Sequence, residues 1–282
     1  MTAYISIFIT IVLFSSIETF SKMLTGNVDP FLIAFIRFFV SGVILLLIDI
    51  KKIKQVDKKD WKYLFFLGIV GISVALGSFH LAINGLSAAT GAVIFSLNPI
   101  FSSLLAVFIL KEAVHKNRVF GIIISFIGVY IVIFGFNKID LTNIKSVLLM
   151  LVASIGFGLY IAASKPFTKK YGTFFTTGII FIIGSLPYLL FVKSFQIKNS
   201  GTSIPVLLYL SLITTGLAYT LYFYGLKRVP IIVGTSMFYL KPILATIFAV
   251  FLLKESPPYY FYLGVIIILT GMIITMKKVS NK

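Results

Sequence analysis

The residues of this chain best placed to do chemistry are charges standing inside long apolar runs. Lys241, followed directly by Pro242, lies in the middle of one such run. It is roughly ten residues from either end, about 15 Å deep at 1.5 Å per residue. A lysine stem can snorkel only part of that distance, and a charge at such depth is costly. Pro242 removes one helical hydrogen bond and frees the carbonyl of Phe238. A cation beside an opened helical turn suits an anionic group such as a carboxylate; a lysine paired with a buried acid, or held neutral, is the structural alternative. Glu18 and Arg37 lie roughly 10 Å from the ends of two helices joined by a short turn. They are expected to meet as an ion pair, with an outer gate or a proton-coupling carboxylate as the other readings. Glu18 can also reach Lys22, one turn away.

Polar stripes accompany these charges. Ser73, Gly77, His80 and Asn84 stand at offsets 0, 4, 7 and 11, which puts them on one helical face, as a cavity lining requires. His80 could couple to protons there; satisfied interhelical hydrogen bonding is the equal alternative. Ser154, Gly158, Ala162 and Lys165 form a second stripe, with Tyr160 nearby. Tyr219, Tyr222 and Tyr239 could supply aromatic walls, although aromatic residues in such chains more often mark the membrane interface.

The elements that must position these groups follow from composition. Of 282 residues, 59% are apolar and only 12% charged, and the mean hydropathy is +1.07. A soluble domain carries about 25% charged residues. Here the apolar residues form runs of about 20, long enough to cross roughly 30 Å of hydrocarbon. The net charge of +17 does not point to nucleic acid, because the basic residues fall in short clusters between apolar runs. Cysteine is absent, and His80 and His115 are the two histidines; neither a thiolate site nor a metal centre is expected. Glu112 and His115 have an E-x-x-H spacing with no further ligands beside it.

Windows of about 19 residues place helices near 4–23, 31–50, 62–83, 88–110, 117–136, 144–164, 173–192, 204–225, 231–253 and 259–276. The first run lacks a basic leader and a cleavage site and contains Glu18, so it reads as a retained helix. With the N-terminus inside, alternate connections place 17 Lys and Arg on the inner side against six on the outer, Arg37 and Lys241 being intramembrane. That bias puts both termini in the cytoplasm and makes the number of spans even.

The chain also repeats itself at an offset of 143 residues. Pro99-Ile100 matches Pro242-Ile243, Ala106-Val107-Phe108 matches Ala249-Val250-Phe251, and Leu110-Lys111-Glu112 matches Leu253-Lys254-Glu255; 13 of the 33 positions from Pro99 to Ile131 are identical. Each unit holds five helices, an odd number, so the second copy must lie upside down. Inverted repeats of this kind allow a rocking motion that exposes one site to each side in turn. The expected fold is therefore an all-α membrane protein of ten transmembrane helices, arranged as two inverted five-helix repeats (1–137 and 138–282) around a central cavity. Gly121, Ser125 and Gly128, with Gly264 and Gly271, read as close packing of the fifth and tenth helices.

The repeated pattern Asn98-Pro99, Leu110-Lys111-Glu112, Gly121 and Gly128, answered by Lys241-Pro242, Leu253-Lys254-Glu255, Gly264 and Gly271, resembles the paired EamA domains of the drug/metabolite transporter superfamily. Arg37-Phe38 and Asn84-Gly85-Leu86-Ser87-Ala88 fit as well, and the resemblance covers essentially the whole chain. It implies ten helices around a cavity, usually serving export of amino acids, other metabolites or drugs. One departure stands out: many members carry a glutamate where this chain has Lys241. That substitution tilts the expected substrate towards carboxylate-bearing compounds, amino acids included, over cationic drugs. The functional expectation is a secondary transporter, an exporter of small metabolites in a plasma membrane, without cofactor or metal and with protons as a candidate coupling ion. Eight acidic residues, mostly in loops, form no catalytic constellation. A receptor or assembly factor that binds without flux is the alternative of a different class.

Overall fold

The computed structural model of the chain describes residues 2–110, 116–135, 143–229, 234–235 and 237–276. Glu112, His115 and the side chain of Tyr239 lie outside that description. Among the described residues every regular element is helical. This is what lipid demands, since a helix satisfies its own backbone polar groups where no water can.

In chain order the helices are α1 (Thr2–Met23), α2 (Pro30–Ile48) and α3 (Lys58–Gly85). Next comes α4, which runs as Ala88–Phe95 and, after a turn at Ser96 and Leu97, as Asn98–Leu110. Then follow α5 (Lys116–Phe134), α6 (Ile144–Tyr171), α7 (Thr173–Leu190), α8 (Ser200–Leu226), α9 (Lys241–Leu253) and α10 (Tyr259–Met276). Among the described residues α1, α2, α3, α6, α7 and α8 are long and apolar enough to cross a membrane, and the remaining helices carry shorter apolar stretches. Large apolar side chains face outwards along them: Leu47, Phe120, Phe251 and Ile266 are each at least 60% exposed. In water such a surface would aggregate; against acyl chains it is the solvated one.

Several boundaries differ from the hydropathy windows. The sixth helix, expected to end near 164, continues to Tyr171 with Pro166 inside it. Its last turn is held from outside: Lys170 pairs with Asp57 at 2.6 Å and Asp60 at 2.7 Å, and the Tyr171 hydroxyl donates to Asp60 at 2.7 Å. Gly172, with φ at +89°, alone separates α6 from α7, a left-handed conformation that glycine adopts without steric cost. The ninth helix is not continuous around Lys241 either. A 3-10 turn, Met237–Leu240, precedes it, and the α-helix begins at Lys241 with Pro242 in its first turn.

Both α3 and α8 widen into π-helical turns, at Leu67–Val74 and Tyr209–Leu217, a distortion often found beside functional sites. In α8 the cause is local. The hydroxyls of Thr214 and Thr215 both donate to the carbonyl of Leu210, at 2.9 and 2.7 Å, and compete with the ordinary helical partner.

Helices α5 and α10 pack along their glycines, as their spacing suggests. A Cβ on Gly128 would stand 2.8 Å from the backbone oxygen of Gly264, and one on Gly264 would stand 2.8 Å from that of Gly128. Backbone on both sides cannot retreat as a side chain tip can. Gly128→Ala and Gly264→Ala are therefore each expected to destabilise the protein by about 1–3 kcal/mol through overpacking, read as a lower melting temperature in detergent. Unchanged melting in both variants would show that the two helices can separate freely.

Candidate functional site

Three intramembrane charges come together in a single buried cluster. Glu18 follows the turn at Ser16 in α1, Arg37 lies in the first half of α2, and Lys241 begins α9. All three are buried, none more than 2% exposed. The Lys241 ammonium donates to Glu18 Oε1 at 2.5 Å and sits 4.4 Å above the ring of Phe95, a cation–π position. The expected Glu18–Arg37 ion pair is not formed: Glu18 reaches across to α9. It does not pair with Lys22 either, whose ammonium turns away to the carbonyls of Ile83 and Leu86, at 3.0 and 2.7 Å.

Arg37 is held by neutral groups. Its Nε donates to the Thr215 hydroxyl at 3.1 Å, and its Nη1 lies 3.1 Å from His80 Nε2. A guanidinium has donors only, so His80 accepts through Nε2. Thr215 is positioned by the widened turn of α8, and α2 is tied to the same turn where Ser41 donates to the Ser211 carbonyl at 2.5 Å. Among the described residues no carboxylate lies within ion-pairing distance of Arg37. The cluster thus sets two cations against one carboxylate. Glu18 Oε2 and His80 Nδ1 are buried without a hydrogen-bond partner. Buried polar atoms are rarely left so.

Glu18, Arg37 and Lys241 form the polar wall of a small cavity whose apolar wall includes Phe14, Phe79, Phe157 and Tyr219. The space leaves about 10 Å³ for the centre of a water molecule, room for about one water. The site is closed. Aromatic rings fill it: Phe14 stands edge to face against Tyr219 at 4.8 Å, and Phe95 lies tilted against Phe157 at 5.2 Å.

The other expected site residues divide. Tyr219 lines the cavity. Tyr160 and Tyr222 are fully buried but stand one layer back; Tyr160 packs on Phe223 and Tyr222 on Phe238, both at 5.5 Å. Asn84 is a correction. It is exposed at the end of α3, where its side chain accepts from Thr25 at 3.1 Å. The α3 stripe does not line the cavity as a whole. Ser73 bonds the Gly184 carbonyl at 2.6 Å and Gly77 abuts Tyr188, so this part of the face packs on α7 and only His80 reaches the cluster. The α6 stripe packs on α4, with Ser154 donating to the Phe95 carbonyl at 3.1 Å and Gly158 against Asn98 and Ser102.

Residues overlooked in the sequence obey the same 143-residue offset as the repeat. Phe14 answers Phe157 and Phe95 answers Phe238. The pairs Phe95–Phe157 and Phe14–Phe238 are equivalent contacts, with centroids 5.2 and 5.9 Å apart. Extending the alignment upstream of Pro99 would have found these aromatic residues.

The profile of the EamA-like transporter family matches residues 1–134 and again 144–277. The chain belongs to the EamA-like transporter family. An "Uncharacterized transporter" of Clostridium kluyveri is 32% identical, with 99% of this chain and 97% of that one covered. An "S-adenosylmethionine uptake transporter" of Rickettsia prowazekii is 27% identical, with 94% and 90% covered. A solved crystal structure superposes with a TM-score of 0.71 over 96% of this chain and 95% of that chain, at 19% identity. This EamA-family chain is accordingly a multi-pass membrane protein of a transporter family.

Proposed function

We propose that the chain is a secondary transporter of small carboxylate-bearing metabolites, amino acids included, working by alternating access across the plasma membrane with both termini in the cytoplasm. The observation that carries the substrate class is Arg37, a buried cation with no anionic partner among the described residues, beside the Lys241–Glu18 pair on one cavity wall. A substrate carboxylate would supply the missing negative charge, and the unpartnered Glu18 Oε2 could accept from an ammonium group. The ten helical segments among the described residues and the doubled family match support two inverted five-helix units, and the basic bias of alternate loops supports the orientation. Export follows from the family resemblance, whereas the Rickettsia relative is named for uptake.

The test is melting temperature of the purified protein in detergent across amino acids, organic acids and cationic drugs, followed by flux of the best compound in proteoliposomes loaded from either side. Stabilisation and flux of carboxylate compounds support the reading. Stabilisation by cations alone would assign the site to Glu18 and remove the carboxylate class. The side from which flux proceeds settles direction, and its response to an imposed pH gradient settles proton coupling.

A further inference from the structure

Two lysines outside the cavity, at opposite faces of the molecule, each donate to a backbone carbonyl at a helix end. Lys22, one turn beyond Glu18 in α1, donates to the carbonyl of Leu86 at 2.7 Å and also reaches those of Ile83 and Asn84 at 3.0 and 3.3 Å. Lys165, near the end of α6, donates to the carbonyl of Val229 at 2.8 Å. Lys22 and Lys165 are 143 residues apart, and so are Leu86 and Val229. The correspondence extends to the preceding residue, since Ser21 and Ser164 are both serines and both buried. Two cations that recur at the repeat offset, each on a backbone carbonyl recurring at the same offset, are paired features of the fold.

Each lysine bridges elements that must part if the cavity is to open. Leu86 follows α3 and leads into α4, and Lys22 ties that connection to α1. The same connection is gripped from the other side by Glu255, just past α9, whose carboxylate accepts from Ala88 and Ala89 backbone N–H at 2.7 and 3.1 Å. Two helices of one unit and the end of α9 thus converge on one short link. At the other face Lys165 ties α6 to the residue shortly after α8. Both contacts are made in the closed structure, whose cavity has room for about one water. A lysine–carbonyl bond has the strength of a charge-assisted hydrogen bond yet needs no buried counter-charge, so it can break without stranding a carboxylate.

We propose that Lys22 and Lys165 are the two gate latches of the transport cycle, Lys22 closing the extracellular side and Lys165 the cytoplasmic side, released one at a time. This rests on the alternating-access reading and its orientation. The expected behaviour is reciprocal: loss of one latch opens its own side and, by shifting the population, closes the other.

The chain has no cysteine, so Ser21→Cys and Ser164→Cys provide single reporters one residue from each latch. Each is treated with a membrane-impermeant maleimide in right-side-out and inside-out vesicles. Lys22→Met is expected to raise labelling of the Ser21→Cys reporter from outside at least about tenfold and to lower that of Ser164→Cys from the cytoplasmic side, since even one charge-assisted bond is worth that much. Lys165→Met should do the reverse, and Lys22→Arg, which keeps a donor, should stay near the parent. If a methionine variant does not fold, Lys22→Gln and Lys165→Gln serve with smaller shifts of the same sign. Labelling that rises at both reporters in either variant would mean general loosening and would overturn the proposal, as would no response at all. Labelling needs no substrate. Reciprocal shifts without detectable flux would leave the latches standing and sink the carboxylate reading; flux with unresponsive reporters would sink the latches alone.

Discussion

Lys241→Met is expected to be the most destabilising single substitution in the cluster. It would leave Glu18 buried with its only ion-pair partner among the described residues gone, since the present bond of 2.5 Å joins two groups at most 1% exposed. Removing one member of a buried ion pair costs about 3–5 kcal/mol, on the order of 10 °C in melting temperature for a protein of this size. Replacing both members is far cheaper, because no uncompensated charge remains. The Glu18→Gln/Lys241→Met double variant should therefore recover most of the lost stability. Transport should stay lost in the double variant, because the cavity then keeps neither its carboxylate nor its second cation. Melting in detergent measures the first effect and proteoliposome flux the second. A single variant as stable as the parent would show that Glu18 finds another partner or is protonated in the native state. A double variant with full flux would remove the pair from the site.

Arg37→Gln should separate binding from folding in the opposite sense. Glutamine retains a donor for Thr215 or His80 and removes a charge that no carboxylate balances among the described residues, so stability should be close to that of the parent. Stabilisation by carboxylate compounds should fall about 10–150-fold in apparent affinity, the worth of a hydrogen bond between charged groups, about 1.5–3 kcal/mol. Arg37→Lys should recover part of this, keeping the charge but not the fork that engages Thr215 and His80 together. Ligand-induced shifts in melting temperature across a concentration series read both variants. Unaltered affinity for every carboxylate compound in Arg37→Gln would leave Arg37 a structural residue and move the anion site to Lys241.

Some of this protein was legible from the chain alone because it depends on single segments. Hydropathy marked the apolar helices, since about 20 apolar residues must find lipid whatever surrounds them. Glycines at matched spacing announced the α5–α10 contact, because backbone can approach only where Cβ is missing. The depth of Lys241, Glu18 and Arg37 marked them as a costly set that needed partners. Which partners they took was a matter of distance between helices far apart in sequence. Glu18 and Arg37 lie on adjoining helices and share one cavity wall, yet Glu18 makes its ion pair across a 223-residue separation, with Lys241. The α3 stripe failed for a related reason. A period of 3.6 residues shows which residues share a face, not what that face meets: Ser73 and Gly77 pack on α7, whereas His80 reaches Arg37. The Lys22 and Lys165 contacts end on backbone carbonyls, which every residue possesses, so no choice of residue at Leu86 or Val229 could advertise them. The chain determined which groups were too expensive to leave unpaired in lipid; the tertiary fold decided what they paired with, and left Arg37 without an anion among the described residues.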